Sequence, residues 1–387
     1  VEGSACRGGY LAGKETHDKQ RYKQGRIVAP MSTPLIRLVV LYGGVSAEHD
    51  VSRVSAAHVL AAADRSKYRL IPVGIDKRGV WHRNDALAED LAAGAELPNS
   101  LEIDGPVVDP HAVLRGSADD LTVVFPLLHG PHGEDGTVQG MLELFKLPYV
   151  GCGVLSSSLC MDKAMAKEVA ARAGIPQCKW LTFRDGITDA RQILTDVTEQ
   201  LGFPAFVKPA NMGSSVGVSR VESIEELDSA INLALRYDDV IVIEEGVDGR
   251  EVEVAVLGNT APDASLPGEV KPGSDFYDYE DKYVTGSAEL MIPAPLSDEA
   301  IASVREHAVD AFVALRCAGM ARVDFFYEEG GRGWLLNEVN TIPGFTPASM
   351  YPKMWEATGI AYSDLIDRLV TLALEVHRRR SSFSTEH

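Results

Sequence analysis

The sequence predicts a parallel-sheet α/β domain on the N-terminal side, followed by two α+β blocks. Three observations carry this prediction. Apolar runs of strand length alternate with helical stretches over residues 35–150. A strand ending in Lys208 runs into a Gly/Ser loop. Two late strands, 322–326 and 335–340, carry polar residues at alternating positions among apolar neighbours.

Residues 1–34 are polar, rich in Gly and Lys, and without helical or strand period, so they read as a disordered leader. Met31 stands four residues before the first strand and is the expected natural start of translation. The first block, 35–155, reads as strand 35–42, helix 49–64, strand 69–76, strand 121–128, helix 137–146 and a short strand at 147–150. Such alternation implies parallel strands with helices on the sheet faces and ligands at the carboxyl ends of the strands. The second block, 156–239, reads as helix 156–173, strand 179–183, helix 189–201, strands 205–208 and 216–221, and helix 223–236. The third, 240–380, opens with strand 240–245 and closes with helix 361–378, leaving a tail at 381–387.

A length of 387 residues supports two or three packed domains. The formal net charge of -19 repels polyanions, which argues against nucleic-acid binding and against anionic membranes. The five cysteines are odd in number and form no Cys-x-x-Cys pair, so reduced thiols in a cytoplasm are expected. No apolar run is long enough to span a bilayer, and the N-terminus lacks a secretory apolar core.

The Gly/Ser loop is the strongest local signal. Lys208-Pro209-Ala210-Asn211-Met212-Gly213-Ser214-Ser215-Val216-Gly217 delivers a lysine from a strand and then a small-residue turn whose N–H groups can close on phosphate oxygens. It is not a P-loop; taken alone, a glycine-rich hairpin turn looks the same. In the late strands, alternation puts Arg322 with Asp324 on one face and Glu338 with Asn340 on one face. Pairing of the two strands gathers three oxygen donors, which suit magnesium better than zinc. Lys163 opens a helix after Met161-Asp162 and can meet a phosphate, although a lone lysine is ordinarily a surface residue. The strand 240–245 ends in Glu244 and Glu245 before Gly246 and Val247, which suits backbone bonding to an adenine; Glu251, a few residues on, can accept hydrogen bonds from ribose hydroxyls.

In the first block, Gly43-Gly44-Val45-Ser46-Ala47-Glu48-His49 follows a strand and opens a helix, with Ser46 as the expected N-cap. The loop holding His129 follows another strand; lacking a second ligand at metal spacing, that histidine reads as a hydrogen-bonding group. Phe276-Tyr277-Asp278-Tyr279-Glu280-Asp281-Lys282-Tyr283 lies in a long connection of the kind that forms lids, where tyrosines equally serve as packing anchors.

In order, Gly-Gly-Val-Ser-Ala-Glu-His-Asp-Val-Ser, Leu-His-Gly-Pro-His-Gly-Glu-Asp-Gly, Met-Asp-Lys, Gly-Ser-Ser-Val-Gly, Phe-Tyr-Asp-Tyr-Glu-Asp-Lys-Tyr, Arg-Val-Asp-Phe and Asn-Glu-Val-Asn-Thr-Ile-Pro-Gly-Phe-Thr resemble the D-alanine-D-alanine ligases of the ATP-grasp superfamily. The resemblance runs from Leu35 to the last helix. It implies a pre-ATP-grasp domain followed by a two-part ATP-grasp domain, and an enzyme joining two D-alanines through a D-alanyl phosphate for the bacterial cell wall. It implies that Lys163 and Lys208 contact ATP phosphates, that Ser215 binds ATP, that Glu244, Glu245 and Val247 hold adenine, and that Glu251 holds ribose. Asp324, Glu338 and Asn340 would hold two magnesium or manganese ions. Glu48 would anchor the ammonium of the first D-alanine, and His129 would be a substrate-binding residue; Arg322 and the Gly344 N–H would stabilise the oxyanion; Lys282, Ser349 and Met350 would bind the second D-alanine. Ser214 and Tyr283 would bond with Glu48 as the lid closes. The resemblance carries the expectation of a homodimer. The lid pattern resembles the dipeptide-forming members, so D-alanine is expected over D-lactate, while another amino-acid pair and a non-catalytic nucleotide sensor stay open. Gly246 stands where many relatives carry a larger side chain.

Overall fold

The computed structural model describes residues 35–271 and 289–384, and every statement and count below refers to those residues. The readings that fall on 1–34, on the tyrosine-rich stretch with Lys282 and Tyr283, and on 385–387 lie outside them.

The first sheet has the order β3-β2-β1-β4 and is built from β1 (Ile36–Gly43), β2 (Tyr68–Ile75), β3 (Trp81–Arg83) and β4 (Thr122–Pro126). β1 is almost wholly buried and pairs in parallel with both β2 and β4. A strand apolar on both faces is stable only in such a central position, covered by helices above and below. β3 closes the far edge antiparallel to β2. The expected strand at 147–150 reduces to one bridge between Val124 and Tyr149. α1 (His49–Ala62) follows β1 through Gly43, whose positive φ of 88° and whose position leave no room for a side chain: a Cβ there would lie 2.3 Å from the Ile75 carbonyl. α2 (Asp85–Ala93), α3 (Pro110–Arg115) and α4 (Thr137–Leu144) complete this part.

α5 (Val154–Met161) and α6 (Lys163–Arg172) replace the single helix expected over 156–173. Asp162 takes an extended conformation between them and accepts the Met165 N–H at 3.0 Å, so one aspartate ends one helix and N-caps the next. The second sheet, β5-β8-β6-β7, is antiparallel and comprises β5 (Trp180–Arg184), β6 (Ala205–Pro209), β7 (Ser219–Val221) and β8 (Val240–Glu245). It carries α7 (Ala190–Asp196), a π-helical turn (Val197–Leu201) and α8 (Ile224–Ala234). β8, which opens the third block as read from the sequence, is the strand between β5 and β6 in this sheet.

The third sheet runs β12-β11-β9-β13-β14 with β10 on β9. Its strands are β9 (Arg250–Gly258), β10 (Asp263–Ala264), β11 (Gly268–Lys271), β12 (Glu289–Met291), β13 (Gly319–Glu328) and β14 (Gly333–Asn340). Alternation divides its faces. Val252, Val254, Val323 and Phe325 are buried in the cluster that includes α9 (Asp298–Ala314). Ser297 caps α9 through the Ala300 N–H at 3.2 Å, and Asp298 and Glu299 occupy the favourable first turn. On the opposite face, Ala255, Leu257 and Met320 join a core with Leu38, Val40 and Tyr42 of β1 and with α10 (Met350–Ala357) and α11 (Tyr362–Ser381). The last helix therefore folds back on the first sheet, where Tyr68 donates to Asp367 at 2.7 Å. Trp355 is 1% exposed in this core, and truncating it to Ala would cost about 3–5 kcal/mol. The same face also carries the polar residues Glu253, Arg322, Asp324, Glu338 and Asn340. No described helix is long and apolar enough to cross a membrane.

Candidate active site

Two cavities meet under the loop between β6 and β7. The larger, 460 Å³, lies between the second and third sheets and is lined by Lys208, Ser215, Glu244, Glu245, Val247 and Glu251, among others. The smaller, 80 Å³, is walled by Glu48, His129, Glu134, Arg322, Asn340 and Gly344, among others. Lys163, Met212, Gly213, Ser214 and Glu338 line both, so a group at the end of one cavity faces the contents of the other.

Glu48 is the first-turn boundary of α1, yet its carboxylate caps nothing there. It turns to the loop, where Ser214 donates to its Oε1 at 2.6 Å. Ser214 and Ser215 both have positive φ, 49° and 58°, a backbone state unusual for residues with a side chain and found where a loop is held for function. Ser46 is not the N-cap expected: its hydroxyl accepts the Glu48 N–H at 3.2 Å and donates to the His129 carbonyl at 2.8 Å, tying the two first-block loops together. His129 is buried, with Nδ1 3.0 Å from the Ile342 carbonyl and Nε2 3.2 Å from the Ser55 hydroxyl. Burial lowers its pKa, with Glu48 opposing, so the ring is a neutral bridge between the first block and the turn after β14.

Cross-strand register assembles the acid cluster. Asp324 faces Glu338 directly, and Arg322 faces Asn340. Arg322 grips Asp324 with both edges of its fork, Nε to Oδ1 at 2.8 Å and an η nitrogen to Oδ2 at 2.7 Å, and lies 3.0 Å from Glu253 Oε2. Asn340 donates to Asp324 Oδ2 at 2.9 Å. Lys163 donates to the Met212 carbonyl at 2.6 Å and stands 3.9 Å from Glu338. Burial lowers the Lys163 pKa, with Glu338 raising it in opposition.

In the larger cavity, the Glu244 carboxylate lies between two lysines: Lys208 Nζ at 2.6 Å from one oxygen and Lys167 Nζ at 2.9 Å from the other. Burial would raise the Glu244 pKa, but the two ammonium groups hold it at about 2. Glu245 accepts the Lys179 N–H at 2.8 Å and pairs with Arg332. At Gly246 a Cβ would approach Pro204 to 2.8 Å, so a side chain here would require Pro204 to move.

The expected residues thus divide. Glu48, Lys163, Lys208, Ser214, Ser215, Glu244, Glu245, Val247, Glu251, Arg322, Glu338, Asn340, His129 and Gly344 line the two cavities, and Asp324 stands behind Glu338 and Asn340. Ser349 and Met350 line neither. Ser349 accepts the Thr346 N–H at 2.9 Å, and Met350 is buried against Gly268 beneath β11. Both open α10, so what they can offer a ligand is helix-terminal backbone. Lys167, Glu134 and Glu253 are the residues sequence reasoning missed. Lys167 carried a signal: it sits between Ala164 and Ala170 on the buried face of α6. Glu253 alternates with valines along β9, as Glu251 does.

A cleft between two α+β sheets, roofed by a small-residue loop and floored by an acid-bearing strand pair, defines an ATP-grasp ligase, an ATP-dependent class. The chain belongs to the D-alanine-D-alanine ligase family. The family model "D-ala D-ala ligase N-terminus" matches residues 37–152 and "D-ala D-ala ligase C-terminus" matches 169–371. A D-alanine-D-alanine ligase of Bacillus licheniformis is 47% identical over 354 residues, covering 89% of this chain and 97% of that protein. One from Bacillus velezensis is 47% identical over 350 residues, covering 88% and 98%. Among solved structures, the D-alanine-D-alanine ligase from Coxiella burnetii superposes with TM-score 0.74 at 38% identity, over 90% of this chain and 96% of that one. The VanG D-Ala:D-Ser ligase from Enterococcus faecalis gives TM-score 0.76 at 36% identity, over 88% and 100%.

Proposed function

We propose that this protein joins two D-alanines at the expense of ATP, making the dipeptide used in peptidoglycan precursors, and that it does so in the cytoplasm. The observation that carries the reading is the shared wall of the two cavities: Lys163, the 212–214 loop and Glu338 border both the large cleft and the small polar chamber. A phosphoryl donor in the first is thereby placed against a small carboxylate in the second.

In this reading Glu48 receives the ammonium of the first D-alanine and orients its carboxylate toward the γ-phosphorus of ATP. The carboxylate forms the new P–O bond, the bond to the β,γ-bridging oxygen breaks, and ADP departs. Lys163 and Lys208 meet the phosphate charge. The amine of the second D-alanine then attacks the acyl carbon, loses a proton, and displaces inorganic phosphate. Arg322, fixed by Asp324 and Glu253, retains further N–H donors for the oxyanion, and the N–H of Gly344 stands across the same chamber. Ser214 on Glu48 closes the loop over the reacting atoms and keeps out water that would hydrolyse the acyl phosphate.

The donors also fit hard divalent cations: two facing carboxylates, Asp324 and Glu338, with an amide, Asn340, on one polar face. An amide presents oxygen in place of nitrogen by a half-turn of its last bond. These three side chains would hold magnesium or manganese, which when bound supplies positive charge against the phosphoryl oxygens. Phosphate release from ATP with D-alanine, L-alanine, D-serine and D-lactate offered in turn, with the product identified by mass, tests the reading. D-alanyl-D-alanine as the main product supports it; an absence of D-alanine-dependent phosphate release overturns it.

A further inference from the structure

We propose that Lys167 is a positioning residue for the phosphate-facing lysine: it neutralises Glu244 from behind, so that Lys208 keeps a net positive charge toward the nucleotide. The inference rests on the nucleotide reading of the large cleft and adds a residue that does not line it.

The geometry is a closed three-member chain. Lys167 is 3% exposed, and its Nζ is 2.9 Å from Glu244 Oε1, 3.6 Å from Cys178 Sγ and 5.7 Å from the centre of the Trp180 ring. Glu244 is also 3% exposed and gives its second oxygen to Lys208 at 2.6 Å. Lys208 and Glu244 line the cleft, while Lys167 lies behind them. A buried ammonium is costly unless paired, and a carboxylate at the end of a core strand is the partner that makes it tolerable.

Counting charge gives Lys167 its function. Two ammonium groups and one carboxylate sum to one positive charge, presented where phosphate oxygens would lie. Remove Lys167 and the Glu244–Lys208 pair is neutral: the carboxylate turns wholly to Lys208 and competes with phosphate for it. Remove Lys167 and the Glu244 charge together, and Lys208 again stands alone with one positive charge. Lys167 also sits one helical turn from Lys163 on α6, so its bond to β8 fixes the rotation of the helix that presents Lys163 to both cavities.

The test is nucleotide affinity, by calorimetry on the full-length protein, of wild type, Lys167→Met and Lys167→Arg, with ATP, ADP and adenosine as ligands. In Lys167→Met, ATP and ADP should bind about tenfold more weakly or worse, while adenosine, which carries no phosphate, stays within about twofold of wild type. In Lys167→Arg, which keeps a positive charge against Glu244, ATP should stay within about threefold of wild type. Equal weakening of ATP and adenosine, unchanged ATP affinity in Lys167→Met, or a Lys167→Arg variant as weak as Lys167→Met would each overturn the proposal. Should Lys167→Met fail to fold, Lys167→Gln, which keeps a donor for Glu244 without the charge, decides: a loss of ATP affinity of about tenfold or more with adenosine unchanged supports the charge argument, and near-native ATP affinity overturns it. Failure of the nucleotide reading itself is distinguishable, because wild type would then bind neither ATP nor adenosine.

Discussion

Ser214 donates its hydroxyl proton to Glu48 at 2.6 Å across 166 residues of sequence, joining the loop of the second sheet to the helix start of the first block. The bond is charge-assisted and partly buried, the class of hydrogen bond that contributes most. Ser214→Ala should leave the fold intact and lower kcat/KM for D-alanine about 10- to 100-fold, the equivalent of one hydrogen bond to a charged group. ATP hydrolysis without dipeptide should rise in proportion as the loop admits water. Steady-state kinetics with phosphate and dipeptide counted separately checks both; matched phosphate and dipeptide yields would rule out the closing role.

Asp324 occupies the centre of the acid cluster, facing Glu338, gripped by Arg322 and bonded by Asn340. Asp324→Asn keeps the shape and removes the charge. Turnover should fall on the order of 100-fold, and the magnesium concentration for half-maximal rate should rise at least severalfold. A magnesium titration of the variant reads this directly. Wild-type magnesium dependence would show that Asp324 serves only to hold Arg322.

Glu134 supplies a pH prediction. Burial pushes its carboxyl up to about 8, with the nearby Glu48 charge adding and the Gly130 and Ile342 backbone N–H groups opposing. The folded state therefore holds a proton between roughly pH 4.5 and 8 that the unfolded chain has released. The folded value being the higher, this contribution to stability is complete below the unfolded pKa and is lost as pH rises through the folded one. Glu134→Gln mimics the protonated form. Its stability relative to wild type, measured by denaturant unfolding with chelator present, should increase by about 2–4 kcal/mol between pH 5 and pH 9. A flat difference would remove Glu134 as a half-buried neutral acid.

Much of this site was legible because its signals are local. Alternation along 322–326 and 335–340 sets which side chains share a face, and the register adds only which residues face one another: Asp324 with Glu338, Arg322 with Asn340. The Gly/Ser loop and the apolar runs of β1 and β4 were legible for the same reason, since strand period and backbone freedom are written in neighbouring residues. What was not legible depends on partners distant in sequence. β8 reads as the opening of a new block because nothing within it reveals that β5 and β6 flank it. Lys167 reads as one more lysine on a helix until β8 brings Glu244 against it. Ser46 has the composition of a cap, yet the neighbouring His129 carbonyl claims its hydroxyl. The break at Asp162 is intermediate: an aspartate three residues before Met165, whose N–H it can accept, is a local signal, but one that an unbroken helical pattern on both sides overrides.

Gly130 is a test of how narrowly Glu48 is placed. Its φ of 76° lies in the left-handed region, and a Cβ built there would stand 2.8 Å from Glu48 Oε2. The Gly130 N–H is also fixed, donating to Glu134 at 2.9 Å. In Gly130→Ala the backbone cannot swing away without releasing that bond, so the carboxylate of Glu48 is the group that must move. The cost in backbone strain is about 1–2 kcal/mol. The displaced carboxylate should raise KM for the first D-alanine about tenfold or more, because the ammonium loses its oriented partner. In the proposed reading ATP binds in the other cavity, so its KM should change less than about twofold. Initial rates over a D-alanine series at saturating ATP, and over an ATP series at saturating D-alanine, separate the two. A variant in which both constants rise together would mean that Glu48 is not the residue that holds the first substrate apart from the nucleotide.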